Sequence, residues 1–195
     1  MPNAILDPTG RAGVAAAPRP GLLLATRRPA LSGLRVGLMD NTKHNAALLL
    51  HEIGKLLVAE HGLAAVTVEA TKANFAAPAP AELIERYRQD CDVVITGVGD
   101  CGSCSASAVA DGILFEQAGV PAAVICSDAF VVTADAMAEL RGAAGYHYAR
   151  TAHPVAVLTT EQVQQRAKQL LPEVVAILRG DSGGRPPGSA QSARQ

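Results

Sequence analysis

Asp92-Val93-Val94-Ile95-Thr96 runs directly into Gly97-Val98-Gly99-Asp100-Cys101-Gly102-Ser103-Cys104-Ser105, and this stretch decides the fold. Its first half is short, apolar and β-branched, the signature of a strand buried on both faces. Its second half holds three glycines, which let the backbone turn sharply and come close to a ligand. A helix is then expected from about Cys104 to Ala118. A buried strand that feeds a helix through a glycine-rich turn is one unit of a parallel α/β sheet.

The same alternation extends to both sides. Leu34 to Met39 reads as the first strand. A helix follows from about Lys43 to His61, with Ala46, Leu49, Leu50, Ile53 and Leu57 on one face. Ala65 to Val68 is the second strand, and Pro80 starts a helix through Leu83 and Tyr87. Ala122 to Cys126 is the fourth strand, followed by a helix near Ala134 to Arg141. Ala149 to Leu158 is expected to hold a fifth strand or extended segment. Thr159 opens the last helix, whose core face includes Val163, Ala167, Leu170, Leu171, Val175 and Ile177. Five strands alternating with helices predict one three-layer α/β/α domain with a mostly parallel sheet of flavodoxin-like or Rossmann-like order. The expected division is an irregular N-terminal tail over 1–32, pinned by Ile5-Leu6-Asp7-Pro8, the α/β domain over 33–180, and a disordered tail over 181–195.

Bulk properties narrow the function classes. Of the 195 residues, 49% are hydrophobic, enough for a sizeable core, while Trp is absent and aromatics make up only 3%. A net charge of -1 gives no electrostatic case for nucleic acid or an anionic membrane. No long apolar run predicts a membrane span, and the start lacks a secretory pattern, so the cytoplasm is the expected compartment. In that compartment, four cysteines in a chain of this size do not suggest structural staples, and the close pair reads as redox, catalytic or metal-binding.

Ligands of such sheets bind beyond the carboxyl ends of the strands. The third strand ends in Cys101-Gly102-Ser103-Cys104. A helix N-terminus stabilises an anion, a thiolate included. Two cysteines three residues apart across a helix start can also meet as a disulfide, so one thiol attacks and the other resolves. Asp100 and Ser103, in the same turn, are assigned to substrate binding. The first strand ends in Asp40-Asn41-Thr42-Lys43-His44-Asn45. There Asp40 and Asn41 either face the substrate or cap the helix, and Lys43 favours a thiolate or holds a substrate carboxylate. Asp128, after the fourth strand, is a further substrate-binding candidate. His153, ahead of Pro154, is the best placed of five histidines to act as acid or base. Cys91 reads as structural; Cys126 ends a strand on the edge that carries the site. Gly97, Gly99 and Gly102 also imitate a dinucleotide fingerprint, on the third strand rather than the first.

With these residues in view, the chain resembles the UGSC-type (seleno)protein family. The resemblance rests on Cys101-Gly102-Ser103-Cys104 with its glycine lead-in, on Ile5-Leu6-Asp7-Pro8-Thr9-Gly10, on Asp40-Asn41-Thr42-Lys43 with Asn45, and on His153-Pro154. It spans residues 5 to about 178. It implies that Cys101 stands where relatives carry selenocysteine, and so is the nucleophile or redox atom. One departure is Cys126-Ser127-Asp128, where relatives tend to have Thr-Glu.

The first functional expectation is therefore a thiol enzyme acting on a small molecule. In its redox form Cys101 attacks, Cys104 resolves the adduct as a disulfide, and an external thiol reductant restores the pair. In its non-redox form Cys101 adds to an electrophile and His153 moves the proton, as in a lyase, isomerase or hydrolase. No cofactor or metal is expected. The competing readings are a zinc module built on Cys101, Cys104 and His153 with Cys126 or Asp128, and a non-catalytic interaction domain.

Overall fold

The computed structural model describes residues 23–181; Ile5-Leu6-Asp7-Pro8 and the tail beyond Asp181 lie outside them. Five strands, β1 (Arg35–Asp40), β2 (Ala65–Thr71), β3 (Val93–Gly99), β4 (Ala122–Ser127) and β5 (Ala149–Thr151), alternate with five helices. The helices are α1 (Ala46–His61), α2 (Ala81–Asp90), α3 (Gly102–Gln117), α4 (Val131–Leu140) and α5 (Thr160–Arg179). All strand pairs are parallel, in the order β2-β1-β3-β4-β5. That is the flavodoxin-like order, with its switch point between β1 and β3.

Every residue of β3 and β4 is buried, and their side chains divide by the two-residue period of a strand. Val93, Ile95, Ala123 and Ile125 join the core under α1 and α5. Val94 and Ala122 face Ile84, Tyr87 and Phe115 of α2 and α3, while Val124 and Cys126 face α3 and α4. Tyr87 is fully buried and donates to Leu38 O at 2.5 Å. Its ring lies so close to β1 that a Cβ at Gly37 would stand 2.5 Å from it, so position 37 has room for no side chain.

Several boundaries differ from the expected ones. The first helix starts at Ala46 rather than Lys43, because Thr42 and Asn45 both take left-handed backbone angles, with φ 69° and 67°. The third helix starts at Gly102, which makes Cys101 its cap. The fourth starts at Val131. The fifth strand is only three residues long. Beyond Thr151 the backbone polar groups are taken by side chains instead of a neighbouring strand. Asp100 accepts from Val155 N and Ala156 N, and Asn45 donates to the carbonyls of Val155, Ala156 and Leu158.

Residues 23–34 form neither strand nor helix, yet they are anchored to the body. Glu116, 2% exposed, accepts from Ala25 N, from both terminal nitrogens of Arg27 and from Ala122 N. Four donors thus satisfy one buried carboxylate, the condition on which a charge is tolerated in a core.

Candidate functional site

β3 delivers its last residues to the switch point through Gly99. A Cβ there would lie 2.7 Å from Cys126 Sγ, Ser105 Cα and Ser105 Oγ, so the absence of a side chain lets β4 and the first turn of α3 close on the strand. Asn41 holds the preceding turn from the other side. It is 1% exposed, its Nδ2 donates to Val98 O, and its Oδ1 accepts from Val98 N, both at 2.9 Å. Its amide is thus committed to the fold, neither capping α1 nor open to a ligand.

Cys101 follows as the N-cap of α3. Its sulfur accepts from Cys104 N at 3.3 Å and its carbonyl from Ser105 N at 2.9 Å. A sulfur at the N-cap occupies the place normally taken by a Ser or Asp oxygen, where negative charge is favoured. Cys101 and Cys104 are joined as a disulfide, with Cα atoms 5.2 Å apart, inside the usual range for such bridges. The two are unequal: Cys101 is partly exposed and Cys104 is fully buried. Ser103, exposed, brings its Oγ to 3.6 Å from Cys101 Sγ.

The residue before Cys101 ties the turn to the segment after β5. Asp100 is 8% exposed. Its Oδ1 meets His153 Nδ1 at 2.9 Å, and its Oδ2 accepts from Val155 N and Ala156 N at 3.0 and 3.1 Å. His153 also stands 3.4 Å from Ser127 Oγ through Nδ1, and edge-on to Phe130 at 5.3 Å between centroids. Asp128 accepts from the backbone N of His153 at 3.0 Å. The structure therefore gathers Cys101, Cys104, Asp100, Ser103, Asp128 and His153 at the ends of β3, β4 and β5. Asp40 instead accepts from Thr42 N and Thr71 Oγ1 on the β2 side, and Lys43 Nζ sits 5.7 Å from the Phe75 ring centroid.

Sequence reasoning passed over Ser127, Phe130 and a buried network behind the site. Lys72, 2% exposed, donates to Asp111 Oδ2, Ser107 Oγ and Ala77 O at 2.5, 2.6 and 2.7 Å, and Asp111 Oδ1 accepts from Ala79 N. It ties the end of β2 and the following loop to the middle of α3. The signal available was Asp111 within an otherwise small and apolar helix face.

Of the other thiols, Cys126 is fully buried, and burial pushes it up to about 12. Burial also pushes Cys91 up, its sulfur 3.5 Å from Thr67 Oγ1. Among the described residues, no group of three or more His, Cys, Asp or Glu side chains converges to hold a metal ion, and no helix is long and apolar enough to cross a membrane.

The model of the UGSC family matches residues 4–180 of this chain. No curated protein sequence matches it. Among solved structures, the flavodoxin-like domain of a Synechococcus protein is 20% identical, with a TM-score of 0.39, covering 74% of this chain and 94% of that one. A diflavin flavoprotein from Nostoc is 11% identical, with a TM-score of 0.36, covering 75% and 96%.

Proposed function

The chain belongs to the UGSC family, and on that premise we propose that it is a thiol-dependent enzyme acting on a small molecule. Cys101 is the attacking sulfur and Cys104 the resolving one. The observation that carries this reading is their inequality at the helix start: one sulfur partly exposed and held at the N-cap, the other fully buried and bonded to it.

The electrons balance as follows. Cys101 thiolate attacks an oxidised or activated atom of the substrate, and the bond at that atom breaks with its electron pair on the leaving group, which takes a proton. Cys104 thiolate then attacks Cys101 Sγ, expels the remaining substrate fragment as the second reduced product, and closes the disulfide. The pair has lost two electrons and the substrate has gained two. An external thiol reductant returns them with two protons.

A non-redox reading is favoured by one separate observation, the Asp100–His153 pair, since thiol–disulfide exchange does not require an oriented imidazole. In it, Cys101 adds to an electrophile, His153 moves the proton, and Cys104 stays a bystander.

Covalent trapping tests the reading. The reduced protein is mixed with a small aromatic disulfide and its intact mass is followed. Cys104→Ser is expected to hold a stable mixed disulfide on Cys101, the wild type to pass through it to the internal disulfide, and Cys101→Ser to react slowly. A stable adduct in the wild type, with no internal disulfide, would leave the non-redox form. Equal reaction of Cys101→Ser would remove Cys101 as the attacking sulfur.

A further inference from the structure

We infer that Asp100 is a positioning residue that fixes the His153 tautomer, with the proton on Nδ1 and the lone pair on Nε2, and that it does not bind substrate. The use of that lone pair rests on the thiol-enzyme reading; the tautomer does not.

The carboxylate oxygens are already divided between two tasks. Oδ2 takes two backbone N–H groups, Val155 N and Ala156 N, and thereby sets the segment that carries the ring. Oδ1 is left for Nδ1 at 2.9 Å. At neutral pH a carboxylate only accepts hydrogen bonds, so Nδ1 must donate. Ser127 makes the same demand independently. Its hydroxyl donates to Gly99 O at 3.1 Å, so its oxygen can meet Nδ1, at 3.4 Å, only as an acceptor. Both neighbours of Nδ1 therefore require the proton there. Nε2, which has no hydrogen bond among the described residues, keeps the lone pair, and the side chain retains 37% of its surface.

The backbone of residue 153 is fixed by a third group, Asp128, through His153 N. Ring and main chain are thus held by different carboxylates, which is the arrangement a general base needs to keep its orientation through a proton transfer. Asp100 is also the residue immediately before Cys101. The group that orders the imidazole and the sulfur that would use it share one turn of chain, so their separation does not depend on loop motion.

The test is the nitrogen spectrum of the imidazoles in uniformly labelled protein, with His153 assigned by the signal lost in His153→Gln. The wild type above the histidine titration is expected to show Nδ1–H. In Asp100→Asn the amide oxygen is needed by Val155 N and Ala156 N, which turns the NH2 toward Nδ1. His153 is then expected to switch to Nε2–H. Ser127→Ala, with Asp100 intact, is expected to keep Nδ1–H. An Nε2–H wild type overturns the inference even if Asp100→Asn does not fold, and so does an unchanged tautomer in folded Asp100→Asn. Iodoacetamide alkylation of Cys101 in the Cys104→Ser background separates the two claims. A rate that falls by up to about a hundredfold on adding Asp100→Asn supports the use of the base. A flipped tautomer with an unchanged rate leaves the positioning intact and sinks His153 as the base of the proposed enzyme.

Discussion

Replacing Asn41 by Ala removes the partner of Val98 N and one of two donors to Val98 O, which keeps Asp100 N at 3.0 Å. Asn41 and Val98 are 1% and 0% exposed, so the freed N–H of Val98 finds no water without opening the core. A buried orphan costs about 1–3 kcal/mol, so a loss on the order of 2 kcal/mol is expected. For a domain of this size, with a urea slope of about 2 kcal/mol per molar, the midpoint falls by about 1 M. The thermal midpoint should drop by about 4–8 °C. Equilibrium unfolding by far-UV circular dichroism, with the protein reduced throughout, reads both numbers. Asn41→Asp sharpens the test. It keeps an acceptor for Val98 N but sets a carboxylate oxygen, with no proton to give, against Val98 O. At neutral pH it is expected to be at least as damaging as Ala, and to recover as acid supplies the missing proton. A loss under about 0.5 kcal/mol for Asn41→Ala would refute the claim that this amide holds the turn ahead of Cys101, since it is smaller than one typical net hydrogen bond.

Lys72→Met should destabilise by about 3–5 kcal/mol, because it strands Asp111 in the core, whereas Lys72→Met with Asp111→Leu should recover most of that loss; urea midpoints of the single and double variants decide, and an additive pair refutes the coupling. Burial pushes the Asp92 carboxyl up, but the backbone N–H and guanidinium of Arg35 hold it lower still, with the net direction down. Its folded value lies below its unfolded one, so its contribution is present above about pH 4 and is lost as pH falls further. Asp92→Asn should therefore shrink the difference in urea midpoint between pH 7 and pH 3, and an unchanged difference would contradict the sign. Cys126, pushed up to about 12 by burial, should resist iodoacetamide at pH 8 in the native protein and label only on unfolding; mass mapping of native labelled protein that finds it modified would oppose its structural role. Gly99→Ala forces a Cβ to 2.7 Å from three atoms of α3 and β4, and a loss of about 1–3 kcal/mol in chemical unfolding is expected from such overpacking.

The legible parts of this chain are those whose physics is local. The β-branched, apolar run at Val93–Ile95 can only be a buried strand. The glycines that follow, two at the end of the same strand and one at the start of α3, mark where strand gives way to helix, and the periodic faces of α1 and α5 announce their own burial. Cys101 and Cys104, three residues apart at a helix start, meet because helical geometry brings them together whatever surrounds them. What fastens residues 23–34 to the body is not legible locally, because Glu116, which binds Ala25 and Arg27, lies some ninety residues away. How far the fifth strand runs within 149–158 is hidden for the same kind of reason. Residues 153–158 look extended, but their backbone is claimed by Asp100 and Asn45 from two other loops.

The sequence by itself determined the fold class, the sheet-to-helix turn and the thiol pair, because propensity, periodicity and short spacing act within a few residues. Only the tertiary structure decided what the polar residues around that pair do. It turned Asn41 inward, sent Lys43 toward Phe75, left Cys126 beneath the sheet edge and set Asp100 against His153. Each of those outcomes depends on which strand ends lie side by side, and that order is settled by packing across the whole sheet rather than by any neighbour in the chain.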